Sequence, residues 1–272
     1  MKQTGGIDPT YIDARTVLLD ALAALGAQRN ALVLIGAQAV YLHTGEAELG
    51  IGLYTTDGDL AIVPADLVPD PLLEELLEAA VFQKDGSNLG TWLGRGDVKV
   101  DLLVPEALAS GGRRSADLGV HGRRAARRAR GLEAAAIDNG LMTISSLDPE
   151  DERSIEIRVA GPAALLVAKL HKLWDRVGTA RLKPKDALDV LRLLELPSEL
   201  LAERLDVLAE NETAGDITTE AIRILQTMFG APETEGCGLA AEALRGRRDE
   251  SIVRESCAAL TEELVSKLNH GR

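Results

Sequence analysis

The sequence predicts an α/β (α+β) fold, a small mixed sheet followed by a mainly helical C-terminal domain. Three observations lead there. Short apolar runs bounded by glycine and proline alternate with helical-period segments as far as Pro105, a second strand pair follows near residues 141–160, and from Lys185 onward apolar residues recur at intervals of three and four. With 272 residues, 46% of them apolar, the chain can bury one large core or two modest ones.

The segment "YIDARTVLLDALAALG" carries helical periodicity and stops at Gly26. "ALVLIG" is a buried strand ending in Gly36, and "AQAVYLHTG" a short helix closed by Gly45. "GDLAIVP" is a second strand stopped by Pro64; "PDPLLEELLEAAV" follows as a helix with proline and acids in its first turn, where the dipole favours them. "AVFQKDG", "NLGTWLGRG" and "VKVDLLVP" are three short strands separated by turn residues, consistent with antiparallel pairing onto the sheet. "LMTIS" and "SIEIRVAG" form another strand pair, and Pro162 opens a long helix, "PAALLVAKLHKLWDRVG". These boundaries predict a first subdomain at residues 1–109, an intermediate segment at 110–160 and a helical domain at 161–272.

The formal net charge of −13 argues against a protein that coats nucleic acid over its whole surface, while leaving local basic patches open. Residues 110–130 are such a patch, with seven arginines against one aspartate: Arg113, Arg114, Arg123, Arg124, Arg127, Arg128 and Arg130. The bland account is a solvated surface or a dock for an acidic partner. A dense local cluster of cations is also what contact with an RNA backbone requires. The two cysteines, Cys237 and Cys257, lack metal-ligand spacing, and the N-terminus lacks a signal-peptide layout, which predicts a reduced, cytoplasmic protein. No apolar run approaches the ~20 residues that a membrane-spanning helix needs.

The stretch "TTDGDLAIVP" carries the chemistry. Side chains on a strand alternate, so Asp57 and Asp59 share one face while Gly58 and Leu60 share the other. Carboxylates held that close recruit a cation, and hard oxygen ligands suit Mg²⁺. "VKVDLLVP" supplies a third acid, Asp101, on the face opposite Val100 and Leu102. Three carboxylates on adjacent strands can hold two Mg²⁺ ions for phosphoryl or nucleotidyl transfer. The alternatives are a plain Asp-Gly turn and an Asp101 paired with Lys99 or exposed at a sheet edge. Gly36, between a strand and a helix, adds backbone N–H groups and a dipole suited to phosphate.

Taken together, "LIGAQAVYLHTG", "TTDGDLAIVP" and "VKVDLLVP" resemble the motifs of polymerase-β-type nucleotidyltransferases, and "HGRRAARRARGLEAAAID", "GPAALLVAKLHKLWDR" and "KPKDALDVLRLL" are similar to the AbiEii/MenT branch, the toxins of toxin–antitoxin pairs. The resemblance covers roughly residues 12–195. It implies a nucleotidyltransferase fold with metal ligands Asp57, Asp59 and Asp101, and a catalytic Lys169 that contacts the triphosphate. It further implies a functional acid at Asp186, with Asp189 one turn along the same face, and nucleotide contacts at Gly36 and Ala37. On the same helix Lys169, Lys172 and Arg176 share one face, which would suit phosphate or be merely solvated. The implied activity is Mg²⁺-dependent transfer from an NTP to an acceptor such as the tRNA 3′ end, with a cognate antitoxin as partner.

Two other readings stand beside it. One is transfer to a protein or a small molecule such as an aminoglycoside. The other is a non-catalytic binding module, for which Ala37, where the family has serine or glycine, and the long stretch before Asp57 are the arguments. His121, His171, Trp92, Trp174, Ser145 and Ser146 receive no role, since none lies in a ligand, stacking or nucleophile context.

Overall fold

The computed structural model describes residues 7–45, 53–110 and 114–270, with residues 269 and 270 described by their backbone alone. The chain divides into two units, one of Met1–Tyr41, Gly52–Ala129 and Asn139–Ala160, the other of Leu42–Ile51, Arg130–Asp138 and Gly161–Arg272.

In the first unit, α1 (Pro9–Ala24) starts where the Asp8 side chain accepts the Thr10 N–H and Pro9 occupies the first turn. The strand β1 (Leu32–Ile35) is buried throughout and runs straight into α2 (Gly36–Thr44). Next come β2 (Asp57–Ile62), α3 (Leu73–Ala79), β3 (Gln83–Lys84), β4 (Thr91–Leu93) and β5 (Lys99–Pro105). Then follow β6 (Arg127–Ala129), β7 (Asn139–Ser145) and β8 (Ser154–Ala160), while α4 (Glu133–Ile137), between β6 and β7 in sequence, belongs to the second unit.

The strands form one mixed sheet in the order β3-β4-β5-β2-β1-β8-β7, with β6 also paired to β5. At the centre β2 is antiparallel to β1 and parallel to β5, and β8 is parallel to β1. Residues 110–160 are therefore not an intermediate segment: β6, β7 and β8 belong to the main sheet, and only Arg130–Asp138 joins the second unit. The physical reason is that β8, with Ile157, Val159 and Ala160 buried, supplies β1 with a second neighbour. β6 was hidden in the arginine run. It reaches β5 only because residue 90 has no side chain: at φ +77°, a Cβ on Gly90 would stand 2.6 Å from the Arg127 backbone nitrogen and 2.7 Å from the Leu102 oxygen.

α1 covers the face of β2 opposite the aspartates. Leu18 is fully buried, and its Cδ1 would stand 3.1 Å from a Cβ at residue 58, so the glycine of Asp-Gly-Asp is what lets the helix approach.

The second unit contains α4 and the helices α5 (Pro162–Trp174), α6 (Pro184–Leu194), α7 (Ser198–Ala209), α8 (Gly215–Phe229), α9 (Glu235–Ala243) and α10 (Glu250–His270). Proline opens both α5 and α6. Leu166 and Leu170, Val190 and Leu194, Leu205, Ile224 and Phe229 fill its core. Among the described residues no helix is long and apolar enough to cross a membrane.

Truncating Leu18 to alanine removes the side chain that α1 presses onto Gly58, and should cost about 3 kcal/mol, in the usual range for a buried leucine. Denaturant titration followed by circular dichroism checks this; a change under about 0.5 kcal/mol, the level of ordinary surface substitutions, would contradict the packing described.

Candidate active site

The alternation expected of "DGDL" holds in β2: Asp57 and Asp59 are half-buried, and Gly58 and Leu60 are buried on the other face. Parallel pairing sets Asp59 level with Asp101 of β5, which is in turn level with Thr91 of β4. Asp59, Asp101 and Thr91 thus form a row across three strands, and Asp57 lies two residues before Asp59 on the same face.

Each acid has a specific support. The Asp59 carboxylate lies against the Gly36 backbone at the start of α2, where a Cβ would overlap it, and Gly36 has φ +74°. The helix N-terminus favours a negative charge at that point. Asp57 Oδ1 accepts a hydrogen bond from Thr55 Oγ1 at 2.7 Å, and the Asp57 carbonyl accepts one from Gln38 Nε2 at 3.0 Å. Gln38 is itself held, since its Oε1 accepts from Arg15 Nε at 2.7 Å. Arg15 is buried and donates also to the Ser145 carbonyl and the Tyr11 hydroxyl. Burial pushes its pKa down, yet a guanidinium stays charged at neutral pH.

Asp101 is differently placed. Its Oδ1 accepts from Thr91 Oγ1 at 2.5 Å and its Oδ2 from Arg127 Nη2 at 2.7 Å. Neither sheet-edge exposure nor pairing with Lys99 describes it; Lys99 lies instead 3.8 Å from Asp85. Among the described residues no three His, Cys, Asp or Glu side chains come together as a metal site. Asp57 and Asp59, on one face of one strand, fit one hard divalent cation of the kind that takes one or two carboxylates and completes its shell with water and phosphate.

The residues expected on the helical side lie in the second unit and form a buried ion cluster. Lys169 Nζ is 2.5 Å from Asp189 Oδ2 and 3.6 Å from Asp186 Oδ1. Lys172 and Arg176 reach the two Asp186 oxygens at 3.0 and 2.9 Å. Burial would raise the Asp186 pKa, but Lys169, Lys172 and Arg176 outweigh it and hold the carboxyl at about 2. The one-face spacing of the three cations is thus used on acids of α6.

In the described part of the arginine segment, residues 114–130, a single 3-10 turn at Gly119–His121 precedes the strand β6. Arg123 pairs with Asp117, Arg128 with Glu106 and Arg130 with Glu220. Arg114 and Arg124 are exposed, Arg123 keeps an exposed side chain, and Arg113 lies outside the described residues. Ala37 is buried at the start of α2. His121 accepts the Leu73 N–H at Nδ1 and bonds the Val68 carbonyl through Nε2, and Trp92 is buried in the sheet. Sequence reasoning missed Thr55, Thr91, Gln38 and Arg15; the only local sign was an arginine at a core position of an otherwise apolar helix.

No family model matches the chain, and no curated protein sequence does. Among solved structures it is similar to an antigenic nucleotidyltransferase-like protein from Paracoccidioides brasiliensis, with a TM-score of 0.35 and 14% identity over 80% of this chain and 95% of that one.

The ion cluster makes a pH prediction. The Asp186 pKa in the folded state, about 2, lies below its unfolded value, so its contribution is fully present above about pH 4 and is lost as pH falls toward 2. The melting-temperature gap between wild type and Asp186→Asn should be large at pH 6 and shrink steadily below pH 4; a gap independent of pH would contradict the assignment.

Proposed function

We propose that this chain is a Mg²⁺-dependent nucleotidyltransferase that moves a nucleotide from an NTP to an acceptor hydroxyl, with the tRNA 3′ end as acceptor, and that it acts as the toxin of a toxin–antitoxin pair. The observation that carries the enzymatic reading is the arrangement on one sheet face: Asp57 and Asp59 together, Asp101 level with Asp59, and the start of α2 at the Asp59 carboxylate. The tRNA acceptor and the toxin role rest on the motif resemblance and on the arginine segment alone.

Asp57 and Asp59 would hold Mg²⁺, which would supply neutralisation of triphosphate charge and a lower pKa for the acceptor hydroxyl. The chain's own residues do the positioning. Thr55 fixes the Asp57 carboxylate, Gln38 fixes the Asp57 backbone, and Arg15 fixes Gln38. Backbone N–H groups in the first turn of α2 are donors for phosphate oxygens. Among the described residues, exposed Arg114 and Arg124 are cations of the basic segment available to a nucleic-acid backbone. In the second unit Lys169 and Asp189 hold α5 to α6, while Lys172, 39% exposed at its side chain, is the member of that cluster that solvent reaches most.

A binding module without turnover is the second reading, favoured by the engagement of both Asp101 oxygens. Incubation with each α-labelled NTP, Mg²⁺ and total tRNA separates the two. Label should enter tRNA with wild type and fall to background with Asp59→Ala. Mg²⁺-dependent NTP binding without transfer to RNA would move the acceptor to a protein or small molecule, and no NTP binding would leave the module.

A further inference from the structure

The role assigned to Arg127 rests on the nucleotidyltransferase reading of the site. Asp101 has β2 with Asp59 on one side and β4 and β6 on the other. Both of its oxygens are taken from the β4 and β6 side, one by Thr91 and one by Arg127. This is not a loose surface contact. β6 sits in parallel register on β5, with Arg127 level with Leu103, two residues beyond Asp101. Gly90 is the residue that allows this approach. The Asp101 side chain is only 18% exposed and that of Arg127 36%, so the pair is partly shielded from solvent. A hydroxyl and a guanidinium on separate strands, both aimed at one carboxylate, hold it more firmly than a single exposed ion pair would.

A two-metal site needs a carboxylate shared between the ions or a third donor group. Here the group that would serve is already neutralised, and the described residues offer no cluster of three acids. What remains is a pair of acids and a fixed guanidinium. Arginine is charged at every physiological pH and presents five donors, of which Asp101 takes one.

We infer that Arg127 stands in for a second metal: the site takes a single divalent cation on Asp57 and Asp59, and the positive charge beside Asp101 is the Arg127 guanidinium, whose other donors face the triphosphate of a bound nucleotide. Asp101 is then a positioning residue that anchors Arg127, with Thr91 fixing its orientation. The competing account is that Arg127 is a placeholder that leaves when a second ion arrives.

Counting Mn²⁺ per full-length chain, by electron paramagnetic resonance and native mass spectrometry with a saturating non-hydrolysable NTP analogue, tests this without relying on activity. One ion is expected for wild type and for Arg127→Lys, and two for Arg127→Ala, in which Asp101 is released. Circular dichroism confirms that the variants are folded. Two ions in wild type would overturn the inference while leaving the nucleotidyltransferase reading intact, and so would one ion in a folded Arg127→Ala. Neither Mn²⁺ nor analogue bound by wild type would remove the nucleotidyltransferase reading and this inference with it.

Discussion

The parallel pairing of β2 with β5 is the constraint on which the candidate site depends. A one-residue slip in that register would turn the acids of one strand to the face that α1 covers. Two things prevent it. On the covered face Leu60, Val100 and Leu102 are fully buried, and Leu18 of α1 presses on the glycine between the aspartates. The apolar face therefore sets the register, and the polar face inherits it. Asp59 comes level with Asp101 because packing beneath leaves no other choice.

Charges are handled differently in the two units. In the first, Asp57, Asp59 and Asp101 are half-buried on two adjacent strands, and Arg127 lies on Asp101. In the second, Asp186 and Asp189 are nearly removed from solvent and meet Lys169, Lys172 and Arg176. Burying ions costs desolvation energy that their attraction recovers only with good geometry. Short contacts to both Asp186 oxygens meet that condition, which is why the carboxyl stays ionised despite its burial. Such a cluster specifies how α5 meets α6 better than apolar packing alone, since a shifted helix would strand a charge.

The arginine segment shows how composition can mislead about arrangement. Seven arginines in one stretch read as a single basic surface. In the folded chain Arg123, Arg127, Arg128 and Arg130 each face a carboxylate on another part of the chain or across a turn, and the exposed cations are fewer than the run implies. The acidic excess of the protein supplies those partners.

Local periodicity determined a good deal. The alternation in "TTDGDLAIVP" and "VKVDLLVP" placed three acids on strand faces, glycine marked the turn into α2, and prolines marked the starts of α5 and α6. Those features depend on neighbours a few residues apart, where backbone geometry leaves few options. The tertiary structure alone decided which groups the acids meet. Arg127 is 26 residues from Asp101, Gln38 is 19 from Asp57, and Arg15 is 23 from Gln38. Contacts at such separations follow from strand order and from clearances like that at Gly90, and no local pattern encodes them. The same holds for Lys169, whose helical spacing showed a cationic face, whereas the packing of α5 on α6 decided that the face would meet Asp186 and Asp189.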